Sequence, residues 1–197
     1  MKLKSMKMVA ASLGVALLIT PAFAQKAKHN THKTTPGADK EDTNPPKALD
    51  QSDKQFLKDA SIGNEAEIEM GQLAQQKASA SEVKQFGTRM VHDHTAAEDS
   101  LKTVAAGLHV SLPTELDPKH KNAKEGIAKL TGPQFDKAYM ALMVQEHTKT
   151  VQKFQKEQSS AKDASVKEFA KSTTPTLQDH LKSAKELESK LQGGQIR

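Results

Sequence analysis

The chain has 197 residues, a formal net charge of +5 at pH 7, no Trp and 4% aromatic residues. This length allows one domain plus extensions, and a composition rich in Lys, Glu, Gln, Ala and Leu favours helices over a β-sandwich or barrel. Because Cys is absent, the sequence excludes disulfides, thiolate metal sites, a thiol nucleophile and a lipid-modified N-terminal cysteine.

Residues 1–24 have the pattern of a cleavable signal peptide. A start with three lysines precedes an apolar run, residues 8–19, and residues 22–24 (Ala-Phe-Ala) form a small-x-small cleavage site. The run is too short to remain as a spanning helix. The sequence therefore predicts an exported protein, periplasmic or secreted, with no transmembrane segment in the mature chain.

The positive charge is concentrated in that leader. Without Lys2, Lys4 and Lys7 the formal charge falls from +5 to +2, and the remaining Lys and Glu residues are interspersed, as on a solvated surface. The sequence shows no basic stripe with interleaved aromatic residues, so nucleic-acid binding is not expected. An association with the cell envelope stays open, and the sequence identifies no protein partner.

Residues 25–51 are predicted to form a disordered linker, because they are rich in polar residues and Pro and lack apolar periodicity. We interpret His29 and His32 in this segment as solvated side chains rather than as a metal-scavenging arm. The folded domain is predicted over residues 52–192, with a tail at residues 193–197.

Helices 1 and 2 are predicted to begin at pairs with capping-box spacing, Ser52 with Gln55 and Ser79 with Glu82. Helix 1 should end near residue 78 and helix 2 near Gly107. So short a link makes the two helices antiparallel neighbours.

The second half of the domain repeats this plan after a longer connection. A proline-containing loop and a short helix, residues 119–130, precede helix 3, which should start at Thr131 and end near residue 158. Helix 4 should start near Asp163 and end at a Gly-Gly stop signal. Pro175 either kinks helix 4 or begins a new helix capped by Thr174. These elements predict an all-α fold, an antiparallel four-helix bundle with a longer connection between helices 2 and 3.

Each long helix carries one metal-competent side chain near mid-length on an otherwise apolar face. Burying an unpaired polar group costs several kcal/mol, so four such exceptions at one height indicate a polar layer across the bundle. The four residues are Glu67, His94, His147 and His180.

Three imidazoles and a carboxylate suit a transition metal ion such as iron, copper or zinc. Glu98, four residues after His94 on the same face, is a candidate outer partner, whereas His92 and Asp93 fall off the apolar face and are interpreted as solvent-facing. Four methionines near the layer are interpreted as core filler rather than copper ligands: Met70, Met90, Met140 and Met143. The alternative to a metal is a hydrogen-bonded network that only fixes helix register.

Four segments, taken together and in order, resemble a family of exported bacterial proteins catalogued as domain of unknown function 4142, often labelled outer-membrane proteins. The segments are Ile62–Ala74, Val83–His94, Phe135–His147 and Pro175–Leu181. The resemblance covers about residues 52–191 and implies a ferritin-like four-helix bundle. Its characteristic polar positions match the four candidate ligands.

One departure narrows the expected site. Di-iron ferritin-like centres take a Glu-x-x-His pair from each of two helices. The residues three before the histidines are instead Val91, Val144 and Leu177, which favours a mononuclear site.

The sequence therefore predicts an exported metal-binding bundle with a storage, buffering or envelope-stress role, and leans against an enzyme. The alternatives are a structural or interaction bundle without metal, and a mononuclear metalloenzyme, which needs an open coordination position.

Overall fold

The computed structural model describes residues 48–196, which form five helices and no strands. The predicted signal peptide and residues 25–47 of the predicted linker lie outside the described residues. The helices are α1 Gln51–Lys77, α2 Ser81–Gly107, α3 Pro118–Ala128, α4 Gly132–Ser160 and α5 Ala164–Gln192. The predicted all-helical class is thus confirmed. Within the described part, no helix is long and apolar enough to cross a membrane.

The four long helices form two hairpins, the N-terminal hairpin (α1 and α2) and the C-terminal hairpin (α4 and α5). Within each hairpin, rising residue numbers on one helix meet falling numbers on the other, so the two helices run antiparallel. The contacts that show this are Ser61–Glu98 and Asn64–His94 in the first hairpin, and His147–His180 and Gln158–Thr174 in the second.

The hairpins pack through α1 against α4 and α2 against α5. These pairs also run in opposite directions, as shown by the contacts Asp59–Lys153, Glu67–His147, Arg89–Ser183 and Asp93–His180. Around the bundle the order is therefore α1, α2, α5, α4. Residues 108–131, which include α3, join the diagonally opposed α2 and α4, and α3 lies against α1 and α4.

Two buried aspartates hold the tight links between helices. Asp53, near the start of α1, accepts hydrogen bonds from the backbone N–H groups of residues 162–163, at 3.0 and 2.7 Å. Asp136, near the start of α4, accepts from the N–H groups of residues 79–80, at 3.0 and 2.9 Å. Each hairpin therefore supplies the carboxylate that satisfies the other hairpin's turn.

This arrangement corrects the predicted caps of the first two helices. Ser79 donates its hydroxyl to Asp136, and the N-cap residue of α2 is Ala80, without a side-chain hydrogen bond. The N-cap of α1 is Asp50, whose carboxylate accepts from the Ser52 N–H at 2.8 Å. The spacing located the helix starts, but the acceptors are different residues: the local N-cap Asp50 for α1 and the remote Asp136 for the link before α2.

Helix α5 continues through Pro175, so no new helix begins there. Thr174 does not act as an N-cap. It is helical, and its hydroxyl donates to the Ala170 carbonyl at 2.7 Å.

Two apolar clusters fill the bundle on either side of its middle. One contains Met70, Phe86, Met90 and Tyr139, and the other contains Phe56, Leu57, Leu101, Phe154 and Phe169. On α2, α4 and α5 the gap between the clusters contains His94, His147 and His180 respectively. The polar residues therefore lie where the apolar core is interrupted.

Candidate metal centre

Three of the four predicted site residues converge in that gap. His94 from α2, His147 from α4 and His180 from α5 are buried, with at most 4% of each residue exposed. One ring nitrogen from each lies within 4.8 Å of those of the other two, and the ring centroids are 5.3 to 5.7 Å apart. We call these residues the histidine triad.

Each ring of the triad uses one nitrogen in a hydrogen bond to an acceptor outside the triad. The pairs are His94 Nδ1 with Asn64 Oδ1 at 3.0 Å, His147 Nδ1 with the Met143 carbonyl at 3.0 Å, and His180 Nε2 with Asp93 Oδ2 at 2.8 Å. Because all three partners accept, these nitrogens carry the ring protons. The other nitrogens, His94 Nε2, His147 Nε2 and His180 Nδ1, are buried without a partner. Three lone pairs are therefore available in one layer.

The orientation of the Asn64 amide is fixed by a carboxylate behind it. Asn64 Nδ2 donates to Glu98 at 3.1 Å, and the Ser61 hydroxyl donates to the same carboxylate at 2.9 Å. The amide oxygen is thus directed at His94. Glu98 supports His94, as the sequence suggested, but through Asn64 rather than directly.

Asp93 requires a correction. It was interpreted as solvent-facing together with His92, yet only His92 is exposed. Asp93 accepts from His180 and, at 3.2 Å, from Arg89 Nε. Partial burial raises the pKa of Asp93, but hydrogen bonds from His92, His180 and Arg89 outweigh it and lower the pKa to about 2. Asp93 is therefore an ionised partner that fixes the tautomer of His180.

Burial keeps the triad neutral. It lowers the pKa of His94 well below its usual range and that of His147 to about 4, and the other histidines nearby act in the same direction. Burial also lowers the pKa of His180, although Asp93 opposes it. At neutral pH all three rings are unprotonated on one nitrogen, which is the form that binds a metal.

Glu67 lies at the edge of the triad. On α1 the gap between the apolar clusters falls at residues 61–65, so Asn64 lies level with His94 and Glu67 is about one turn away. Its Oε1 is 3.9 Å from His147 Nδ1, and its Oε2 is buried without a partner. Burial and, to a smaller extent, the Glu146 carboxylate together raise the pKa of Glu67 to about 8. Height estimated from helix length therefore matched Glu67 to the level of the histidines to within about one turn.

A cavity of about 290 Å³ opens beside the triad, between α1 and α4. Its inner wall includes Glu67, His94 and His147, and its outer wall includes the half-exposed Lys119 and Lys149. Two of the three histidines thus border space that reaches the surface.

The apolar cluster that contains Met70 and Met90 also encloses one tyrosine hydroxyl. The four methionines near the layer are at most 1% exposed and belong to an apolar cluster, as expected for core filler. Tyr139 is fully buried, its hydroxyl has no partner, and burial raises its pKa well above the usual range.

The chain matches the family model described as Domain of unknown function (DUF4142) over residues 38–187. It belongs to this family. The family description assigns no activity, and a search of curated proteins finds no match for this DUF4142 chain.

Two solved structures resemble the DUF4142 chain in fold. A DUF305 fragment from Deinococcus radiodurans has 11% identity and a TM-score of 0.65, covering 72% of this chain and 98% of its own. A DUF305 protein from Streptomyces coelicolor, described as secreted, has 13% identity and a TM-score of 0.62, covering 71% and 92%. At these identities the likeness shows a shared helical bundle alone.

Proposed function

We propose that this DUF4142 protein is an exported, ferritin-like bundle that binds one transition metal ion, iron, copper or zinc. The ligands are His94, His147 and His180, with Glu67 as the fourth. Storage, buffering or protection under envelope stress is the role that suits such a site. The observation that carries the proposal is the set of three partnerless, buried ring nitrogens in one layer.

The chemistry of the donor set fits a metal better than a purely structural network. Buried polar atoms in folded proteins are nearly always hydrogen-bonded, and a network that only fixed helix register would satisfy its own members. Here each ring is held by an outer acceptor while its other nitrogen is left free, as metal-ligating histidines are.

A bound metal ion sets the distance between the ring nitrogens that hold it. Nitrogens bound at about 2.0–2.1 Å to one ion lie about 3.5 Å apart. The present limit of 4.8 Å is wider, so loading requires the rings to draw together. Glu67 can approach from the cavity side, because the residue lines that space and its Oε2 has no hydrogen-bond partner.

Two further parts of the proposal rest on other observations. The ferritin-like architecture is supported by the helix order α1, α2, α5, α4 with a diagonal connection between α2 and α4. Export to the periplasm or beyond is supported by the basic and apolar pattern of residues 1–24.

The test is elemental analysis of the mature protein, purified from the periplasm without a metal-affinity tag. We expect about one equivalent of a transition metal. A His94→Ala, His147→Ala variant should lose it, whereas the matched control His29→Ala, His32→Ala should retain it. Metal loss in the control instead would assign binding to the linker. No metal after reconstitution, with thermal stability unchanged by chelator, would leave only the structural network.

A further inference from the structure

The cavity beside the histidine triad gives the proposed metal centre a route to solution. It borders His94 and His147 on the inside and exposed lysines on the outside, whereas His180 lies outside its lining. An ion bound by the triad could therefore be approached from the side between α1 and α4.

Gly63 helps to keep this route open. It lies on α1 in the cavity wall, and a Cβ atom added there would meet no atom within 4 Å. Glycine inside a helix costs roughly 1 kcal/mol relative to alanine. The space beside residue 63 is therefore open, although alanine at this position would stabilise the helix.

A divalent ion bound by the triad would need a negatively charged ligand to balance its charge. A histidine binds a metal as the neutral imidazole, and each ring keeps its other proton in the hydrogen bond to its outer acceptor. The three rings therefore leave both positive charges of a divalent ion uncompensated, and the Glu67 carboxylate can neutralise at most one. An uncompensated charge in a buried site is costly. The nearby carboxylates are already paired with cations, Glu146 with Lys119 and Lys149, and Asp93 behind His180 with Arg89. The remaining charge is therefore best met by an anion from solution.

We infer that the metal centre keeps one coordination position open toward this cavity, and that a small exogenous anion, inorganic or carboxylate, occupies it. This inference rests on the proposed function. The cavity of about 290 Å³ has ample room for such a ligand, since one water takes about 30 Å³ in the liquid. The centre is thus one that exchanges ligands with solution rather than a closed store.

The test uses Co²⁺, whose visible absorption reports its ligands, and azide as the probe anion. The protein is loaded with cobalt, its metal content is measured by elemental analysis, and azide is then titrated while the spectrum is recorded. We expect a saturable spectral change. Gly63→Leu fills the cavity from α1 and should weaken azide binding about tenfold or more without changing the cobalt content.

Two further variants make the result specific. Gly126→Leu is the matched control, because Gly126 is also helical with open space at its Cβ but lies outside the cavity lining; azide binding should be unchanged. Thr150→Phe obstructs the same cavity from α4 and should reproduce the effect of Gly63→Leu. It replaces Gly63→Leu as the test if that variant fails to fold.

The outcomes separate the two proposals. Failure of the parent protein to take up cobalt overturns the proposed function and this inference with it. Uptake of one cobalt with no response to azide overturns the inference alone. Equal azide affinity in the parent and in a folded cavity-filling variant also overturns the inference, because the anion would then reach the metal by another route.

Discussion

The two hairpins share a framework and differ in what they contribute to the site. Framework positions recur at an offset of 83 residues: Asp53 and Asp136, Phe56 and Tyr139, Val83 and Val166, Phe86 and Phe169. The turn N–H groups that the two aspartates bind, residues 79–80 and 162–163, have the same offset. The hairpins therefore use one packing scheme twice and satisfy each other's links reciprocally.

The site residues do not recur in this way. At the same offset, His94 corresponds to Leu177 and Glu67 to Thr150, while His180 corresponds to Ala97. His147 corresponds to Asn64, which supports His94 instead of joining the triad. The proposed metal centre is thus asymmetric although the framework is repeated. Packing determines the framework residues, whereas the chemistry of the site determines the histidines and their partners.

The hairpins also differ in how closely their helices approach. A Cβ on Gly87 would lie 2.7 Å from the Ala74 side chain and 2.8 Å from the Gly71 carbonyl, so α1 and α2 are in backbone contact there. The corresponding residues of the C-terminal hairpin are Phe154 and Ala170. The Phe154 ring instead packs against Phe56 and Phe169, with ring centroids 4.9 and 5.9 Å away.

The largest expected effect comes from breaking the reciprocal framework. Asp136→Ala and Asp53→Ala each leave two buried or partly buried backbone N–H groups without their charged acceptor, and each should lower the free energy of unfolding by about 3 kcal/mol. Because the two sites lie at opposite ends of the bundle, the losses should add in the double variant. Urea denaturation of the metal-free proteins measures both.

The controls are Asp136→Asn, whose amide oxygen can still accept, and Asp99→Ala at an exposed position of α2. Both should cost clearly less. A loss near that of Asp99→Ala at only one of the two buried aspartates would show that the hairpins are not held reciprocally.

Much of the fold was readable from the sequence because helix-forming stretches are long and their apolar faces are regular. The long helices begin and end within a few residues of their predicted limits, and the triad was found because histidine interrupts an apolar stripe. The aspartate links were missed, because Asp53 and Asp136 act on N–H groups 109 and 57 residues away. No local motif encodes such a contact.

The sequence predicted the candidate site less completely than the fold, for a related reason. Position on a helix face predicts burial, but it does not predict which neighbour a polar side chain meets. The sequence did not predict the roles of Asn64 and Asp93, because each forms a hydrogen bond with a histidine of another helix. Glu67 lies about one turn from the level of the triad because the gap between the apolar clusters falls at residues 61–65 of α1.

The next prediction concerns how the stability of the metal-free protein depends on pH. Glu67 of the N-terminal hairpin and His147 of the C-terminal hairpin contribute to it with opposite signs. The pKa of His147 falls from 6.5 to about 4 on folding, so the unfolded chain binds more protons below pH 6.5 and stability is lost as pH falls toward 4. The other two histidines act in the same direction. The pKa of Glu67 rises from 4.5 to about 8, so its contribution is lost as pH rises between those values.

Above pH 6.5 only the Glu67 effect remains among these groups. Stability should therefore be greatest near pH 6.5 and fall by about 2 kcal/mol by pH 8. Denaturation with chelator present, between pH 5 and 8.5, measures this profile. Glu67→Gln should abolish the alkaline fall, whereas Glu65→Gln, with 44% of the side chain exposed, should preserve it. An alkaline fall that survives in Glu67→Gln would assign it elsewhere.

The smallest expected effect concerns the one outer hydrogen bond of the triad that crosses between the hairpins. His94 is held from within its own hairpin and His147 by its own helix, but His180 of α5 is held by Asp93 of α2. Asp93→Asn removes the charge that makes His180 a stronger ligand while leaving an oxygen that can accept. Loss of such a partner lowers metal affinity by roughly 10-fold to 100-fold, and we expect the lower end because the hydrogen bond can persist.

Competition with a chromogenic chelator measures that affinity, and Asp99→Asn supplies the same change of charge on an exposed face of α2. If both variants weakened binding equally, the effect would be general electrostatics rather than support of His180. If only Asp93→Asn does so, the C-terminal hairpin's ligand depends on a residue of the N-terminal hairpin. Docking of the two hairpins would then be part of metal binding, since neither hairpin carries a complete site.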